Sequence, residues 1–290
     1  MEPVVAPTNE EEVEAWSGVL FDRWVQFRDV VAVQINPFSQ EAYRLCEPAP
    51  GERVLDIGCG LGETTVQLGE LVGPEGAVVG IDAGERFIEL ARSEAPERGA
   101  TNVSYEVGDI QVADLGNGFN LAFSRFGTMF CTNPVAALRN VRESLVPGGR
   151  LCMIVWRRKL DNEWLHRGEL VAERHLERPE ETDEPTCGPG PFSMANADTT
   201  TDVLKHAGYE RISAHRYDRD YRLGDDLDQA IEPVMAIGPA GELIRLAKDD
   251  AERLRDTLEA ELREAYADCA RDDGVYAPAS VWIFTAVNPF

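Results

Sequence analysis

Lysine is nearly absent from this chain. Only Lys159, Lys205 and Lys248 stand among its 28 basic residues, and 52 acidic residues leave a net charge of −24. Such a surface repels phosphate backbones and anionic lipid, so it argues against sequence-independent nucleic-acid binding and against a membrane-surface role. Paired cysteines are missing too. The six, at positions 46, 59, 131, 152, 187 and 269, include no C-x-x-C, and no Cys/His cluster has zinc spacing, which predicts reduced thiols and no metal site. There is no long apolar run. The longest uncharged stretch, Gly274–Phe290, is too short to span a bilayer and carries Pro278 and Pro289. The opening MEPVVAPTNEEEVEAW is acidic and lacks a basic stretch followed by an apolar one, so the expectation is a cytoplasmic protein without a signal peptide. Internal repeats and low-complexity tracts are also absent.

What is present suits a globular core. The 290 residues are 43% hydrophobic and 28% charged, enough for one large domain or two modest ones. Residues 9–47 read as helices carrying Trp16, Phe21, Trp24, Phe27 and Tyr43, and Ala49-Pro50-Gly51 ends them. From there strand and helix alternate. Strands are predicted at Arg53–Ile57, Ala77–Ile81, Val103–Val107, Phe119–Phe123 and Leu151–Trp156, with helices at Glu63–Val72 and Glu85–Ala95. Another helix opens at Asn133-Pro134, a cap followed by proline at the first helical position, and is expected to close at Pro147-Gly148-Gly149. Further on, Asp198–Ala207 reads as a helix and Ile212–Leu223 as a strand or hairpin arm. Residues 240–270 read as one long amphipathic helix striped by Leu254, Leu258 and Leu262, and Ala279–Val287 as a last strand. The alternation predicts an α/β fold, a doubly wound and mostly parallel sheet with helices on both faces. Residues 1–50 would form a helical cap, 51–157 the ligand-binding core, and 158–290 capping segments and C-terminal strands that complete the same domain.

The chemistry concentrates at strand ends. VLDIGCGLGETT, Val54–Thr65, places Gly58, Gly60 and Gly62 between a strand and a helix, where glycine permits a tight turn and close approach of backbone to a ligand. A phosphate loop would need G-K-[ST], and a dinucleotide loop would read G-x-G-x-x-G; this one reads G-x-G-x-G. Asp82 ends the second strand, where a carboxylate can accept both hydroxyls of a ribose. Asp109 follows the third, where a carboxylate can accept from the exocyclic amine of adenine. Any of these alone is an ordinary turn residue; together they line one crevice.

The set Asp56-x-Gly58-x-Gly60-x-Gly62, Asp82 and Asp109 resembles the class I S-adenosylmethionine (SAM)-dependent methyltransferases, closely over 51–156 and loosely to the C-terminus. The similarity is nearest to small-molecule enzymes of bacterial and quinone-biosynthesis type. It implies a seven-stranded sheet whose last strand is antiparallel, SAM as cofactor and S-adenosylhomocysteine as product. By that resemblance Gly58, Cys59 and Gly60 lie along the methionine part, and Asp82 with Ala83 holds the ribose. Asp109 and Ile110 border the adenine, and the Ser124 carbonyl faces the methionine amino group. Ser124-Arg125-Phe126-Gly127 at the fourth-strand exit matches a small-molecule subgroup, not the [DN]-P-P-[FYW] of enzymes that methylate nucleobase or protein amines. Asn133-Pro134 and Asn288-Pro289-Phe290 sit in the wrong places for that motif.

Methyl transfer asks little of a protein beyond holding nucleophile and methyl carbon in line and excluding water. Candidate bases are His166 and His175, with Arg125 orienting an anionic substrate. Trp24, Phe126, Trp156, Trp164 and Phe192 are candidates to wall an acceptor pocket, alongside Trp16. All four histidines lie between 166 and 215, the stretch expected to cap that pocket. The reading is a small-molecule methyltransferase of specialised metabolism. Its alternatives are transfer to a peptide or protein side chain, and a non-catalytic SAM-binding sensor. A small-molecule acceptor is the expected partner, without nucleic acid or membrane insertion, and a homodimer is compatible with the sequence.

Overall fold

The computed structural model describes residues 5–177 and 189–289; Cys187 and Gly188 lie outside the described residues. Two helices lead the chain, α1 (Glu10–Ser17) and α2 (Val19–Cys46). The alternating region follows: β1 (Arg53–Ile57), α3 (Glu63–Val72), β2 (Ala77–Asp82), α4 (Glu85–Glu94), β3 (Val103–Val107), β4 (Phe119–Arg125), α5 (Pro134–Ser144) and β5 (Leu145–Trp156). Then come α6 (Glu163–Ala172), α7 (Ala197–His206), β6 (Glu210–Gly224), α8 (Leu227–Ala236), α9 (Gly238–Ala247), α10 (Asp249–Arg253), α11 (Arg255–Ala265), β7 (Ala270–Arg271) and β8 (Gly274–Val287).

The strands form one sheet in the order β3-β2-β1-β4-β5-β8-β6, with the two-residue β7 beside β8. β1 to β5 pair in parallel, and β8 runs antiparallel between β5 and β6. The reversed last strand is therefore as expected, and β7 is an addition. Central strands are buried along their length because helices cover both faces, which is why RVLDI and LCMIVW read as continuous apolar runs. β6 sits at the edge, and its alternating charged residues keep that edge wet and unpaired.

Two expectations change. Residues 240–270 are not one helix: Lys248 takes a left-handed φ of 47° and separates α9 from α10, and Leu254 separates α10 from α11. The breaks let Leu243 and Leu246 of α9, and Leu258 and Leu262 of α11, all reach the core, with both helices packed on α6. One straight helix could not turn both faces onto α6. Pro147-Gly148-Gly149 does not close α5 either; the helix stops at Ser144, and those residues lie in the irregular start of β5. There Asn288 holds them, its N–H donating to Gly149 O at 2.8 Å and its Nδ2 to Leu145 O at 3.0 Å. The Asn133 cap holds as read, with Oδ1 accepting from Ala136 N at 3.1 Å.

The end of β5 matters for function because α6 hangs from it. Asn162, fully buried, receives the Ser280 N–H at 2.9 Å and donates to Ser280 O at 3.1 Å and Arg158 O at 3.2 Å. It clamps the start of α6 to β8. Replacing Asn162 with Ala strands a buried N–H and its carbonyl partners, and such groups cost about 1–3 kcal/mol each. Asn162→Ala should therefore lower unfolding free energy by about 2–3 kcal/mol in urea titrations.

Candidate active site

β1 and β4 are neighbours, and the chain leaves them toward opposite faces, so their C-terminal ends open a crevice. Gly58 stands at its floor with φ +63°, and a Cβ there would lie 2.8 Å from the Cα of Gly127. No other residue fits. Gly62 begins α3 at φ +80°, where a Cβ would meet the Tyr105 hydroxyl at 2.5 Å. At Gly60 the nearest atom to a Cβ is Phe87 at 4.0 Å, so this position keeps open space on the cavity side.

Below the loop Asp56 is fully buried. Its Oδ2 accepts from Thr64 and Thr65 hydroxyls, both at 2.7 Å, which ties the strand to the first turn of α3. Its Oδ1 has no hydrogen-bond partner. Burial pushes this carboxyl up to about 6, against the pull of the two hydroxyls and the nearby Arg125. Asp82 lies across the loop. Its Oδ2 accepts from Gly60 N at 3.0 Å and its Oδ1 from Gly84 N at 2.9 Å. Burial raises its pKa and those two N–H groups lower it. Each oxygen keeps a second lone pair for a ligand hydroxyl.

Asp109 is engaged differently from the sequence expectation of a free acceptor. Oδ2 takes the Ala6 N–H at 3.1 Å and Asn9 Nδ2 at 3.2 Å, and Oδ1 takes the Gln111 N–H at 2.9 Å. Gln111 Nε2 adds a further contact at 3.1 Å. The carboxylate is filled by the segment leading into α1. Two acceptors near it are not filled: Asn9 Oδ1 and Glu12 Oε2 are buried without partners, and both residues line the cavity. Burial is the main cause of a raised Glu12 pKa, and Asp109 adds to it.

These groups surround a cavity of about 640 Å³. Of the residues singled out from sequence, Gly58, Cys59, Gly60, Asp82, Ala83, Asp109 and Ile110 line its polar end. Phe126, Trp156, Trp164 and Phe192 line the other, while Trp24, packed with Trp16 against Leu61 and Phe87, and Arg125, near Asp56, border the cavity closer to the loop. Asp56, Gly62 and Ser124 stand behind the wall; Ser124 Oγ donates to Ile57 O at 2.9 Å. Cys59 is buried, which raises its thiol well above the usual value and keeps it protonated. Arg125 donates to Ser39 Oγ at 3.1 Å, and burial lowers its pKa. Phe126 holds a left-handed φ of 62°, a strained conformation for an aromatic residue, and its ring stacks on Trp156 at 4.1 Å.

Neither His166 nor His175 borders the cavity. His175 Nε2 pairs with Glu261 at 2.8 Å, and His166 stands behind Glu169. Sequence reasoning missed Asn9 and Glu12, whose meeting with Asp109 spans about a hundred residues. It also missed Glu169, a buried carboxylate on the cavity wall. Among the described residues no group of His, Cys, Asp and Glu could hold a metal, and no helix is long and apolar enough to cross a membrane.

A glycine loop, an acceptor at the end of β2 and a cavity above both call for comparison with known proteins. Residues 48–184 match the family described as a methyltransferase domain. The aklanonic acid methyltransferase DauC of Streptomyces sp. (strain C5) is 37% identical over 133 residues, 45% of this chain and 60% of that protein. The nocamycin O-methyltransferase of Saccharothrix syringae is 35% identical over 136 residues, 46% of this chain and 48% of that protein. The chain thus spans about half the length of the curated relatives it matches. Among solved structures, the 4+2 cyclase SpnF superposes with a TM-score of 0.59 at 18% identity, over 99% of each chain. The YcgJ protein of Bacillus subtilis does so with 0.54 at 16% identity, over 85% of this chain and 96% of that one. These likenesses place the fold.

The Asp56 carboxyl gives a test of the site's electrostatics. Its folded value near 6 lies above the ordinary carboxyl value, so the native state holds this proton more tightly than the unfolded chain. Its contribution to stability is therefore present below about pH 4 and is lost as pH rises to about 6, by roughly 3 kcal/mol. Asp56→Asn does not titrate there. Its stability relative to wild type should increase between acid and neutral pH, measured as the difference in urea midpoints. A pH-independent difference would contradict the burial argument.

Proposed function

We propose that the chain is a SAM-dependent methyltransferase acting on a small, largely apolar molecule. The observation that carries this is continuity: the glycine loop, Asp82 and the aromatic walls border one cavity rather than two. The residues at its polar end fit SAM. Gly60 leaves room where a side chain would stand, and Asp82 keeps lone pairs for ribose hydroxyls. Bound SAM supplies a methyl carbon on a positively charged sulfur, already activated for displacement.

The protein's share is placement and exclusion of water. The loop from Gly58 to Gly60 brings backbone close to the ligand, and Asp56 braces that loop through Thr64 and Thr65. Asp82 receives the ribose, and Ile110 borders the base. Asn9 and Glu12 border the cavity beside the base, with Asp109 holding Asn9 in place. The faces of Trp24, Phe126 and Trp156 suit a neighbouring cation. Arg125 orients an anionic group of the acceptor. The histidines, off the cavity wall, carry no role in this reading.

The names of the two relatives support a small-molecule acceptor, and an O-methyltransferase among them supports oxygen as the receiving atom. Fold alone would not, since a protein titled as a cyclase shares it. Labelled SAM incubated with the protein and metabolite extracts should place label in a low-molecular-weight product. Label in a peptide would favour the side-chain alternative, and tight binding without transfer would favour a sensor. Asp82→Ala should weaken S-adenosylhomocysteine binding by about 10–100-fold in calorimetry, the value of hydrogen bonds to a charged group. Unchanged affinity would remove Asp82 from the site.

A further inference from the structure

One face of α2 borders the cavity, and that face carries a charge. Leu20, Trp24 and Val31 line the wall at helical spacing, and Arg23 lies among them. Its side chain leaves α2 and crosses to the turn between α8 and α9, where Nη1 donates to Ala236 O at 3.1 Å and to Gly241 O at 3.2 Å. Ala236, Ile237, Gly238 and Glu242 of that turn line the same cavity, so the stem and the head of Arg23 both stand on its wall. The turn sits against α6: a Cβ at Gly238 would meet the Leu165 side chain at 2.5 Å, next to Trp164 of the aromatic end.

The guanidinium has donors to spare. Nε and Nη2 have no hydrogen-bond partner among the described residues, and Arg23 is half-buried with neither nitrogen sealed in the interior. Nor does it form an ion pair among those residues, in a chain with 52 acidic side chains. Its neighbouring cations are matched. Lys159 Nζ bonds Glu169 at 2.7 Å, and Arg245 bonds both oxygens of Glu242, at 2.9 and 3.0 Å. Arg23 is the surplus positive charge of this group. Burial lowers its pKa, and Arg245 depresses it more than Glu242 restores it. An anion at the guanidinium would offset both effects. The glycine end is opposite in sign, with Asp82 and Asp109 met by N–H groups. The cavity thus runs from a negative end that suits a sulfonium to a positive spot that suits an anion.

We propose that Arg23 binds a carboxylate of the acceptor, which makes the substrate an apolar acid anchored at the α8–α9 turn. With Nη1 taken by the turn, the Nε–Nη2 edge stays whole, and that edge can grip both oxygens of a carboxylate. The bonds to Ala236 O and Gly241 O already fix the head, so little side-chain freedom is lost on binding. Arg125 keeps the role given above, and Glu63 and Asp56 already draw on its charge. The inference rests on the methyltransferase reading, because it takes SAM as the occupant of the glycine end.

The probe is 2-naphthoate, compared with 2-naphthamide, which keeps the rings and the carbonyl and lacks the charge. Both are titrated by calorimetry at neutral pH with S-adenosylhomocysteine present. Wild type should bind the carboxylate about tenfold or more tightly than the amide. Arg23→Gln should abolish that preference and leave the amide within about threefold of its wild-type affinity. Arg23→Lys should cut the preference about threefold or more, since an ammonium offers no paired edge. A side chain that only latched the turn would weaken both compounds alike in Arg23→Gln, and that result would overturn the proposal. So would failure of wild type to bind either probe, no preference in wild type, or a preference that survives Arg23→Gln and is lost in Arg125→Gln instead. Binding of S-adenosylhomocysteine within about twofold of wild type controls for folding in each variant. Should Arg23→Gln fail that control, Arg23→Lys decides: an undiminished preference there overturns the proposal. If wild type failed to bind S-adenosylhomocysteine, the methyltransferase reading itself would fall; absence of the preference with that ligand bound would sink this inference alone.

Discussion

Two glycines touching across the gap between β1 and β4 set the geometry of everything above the sheet. A Cβ on Gly58 would stand 2.8 Å from Gly127 Cα, and one on Gly127 would stand 3.0 Å from Gly58 Cα. Because neither exists, the loops leaving adjacent strands pass in backbone contact. One then turns into α3, and the other throws Phe126 into a left-handed conformation against Trp156. The first builds the polar end of the cavity and the second the aromatic end. Bulk at this contact would force the loops apart and separate the two ends.

The polar end depends on buried carboxylates in a chain that carries a net charge of −24. Each is handled locally. Asp56 leans on two threonine hydroxyls, Asp82 on two backbone N–H groups, and Asp109 on the segment preceding α1. Hydrogen bonds rather than cations do most of this work, with Arg125 contributing at a distance. That leaves the carboxylates' negative charge free to favour the proposed cationic ligand.

How much of this was legible in the sequence follows from the range of the interactions. β1, α3 and β3 begin and end where the apolar runs and glycines said they would, because buried parallel strands and helix ends are encoded within a few residues. The Gly58–Gly62 loop and Asp82 were visible for the same reason. The breaks at Lys248 and Leu254 were not, since the leucine stripe continues across them and only packing on α6 divides it. Asn9, Glu12 and Glu169 were invisible for a further reason. Glu12 and Glu169 are ordinary polar residues on amphipathic helices, Asn9 stands just before α1, and only the tertiary fold leaves one oxygen of each buried and empty. Histidines drew attention by residue type, yet His175 is spent on Glu261.

The central claim is that one cavity holds a SAM-shaped ligand at its glycine end and directs the reacting atom toward its aromatic end. A crystal structure with S-adenosylhomocysteine tests it most directly. The account predicts the amino-acid tail along Gly58–Gly60, the ribose hydroxyls on Asp82, the base under α1 beside Asn9 and Glu12, and the sulfur facing Phe126 and Trp156. Ligand density outside this cavity, or a sulfur turned away from the aromatic walls, would contradict it.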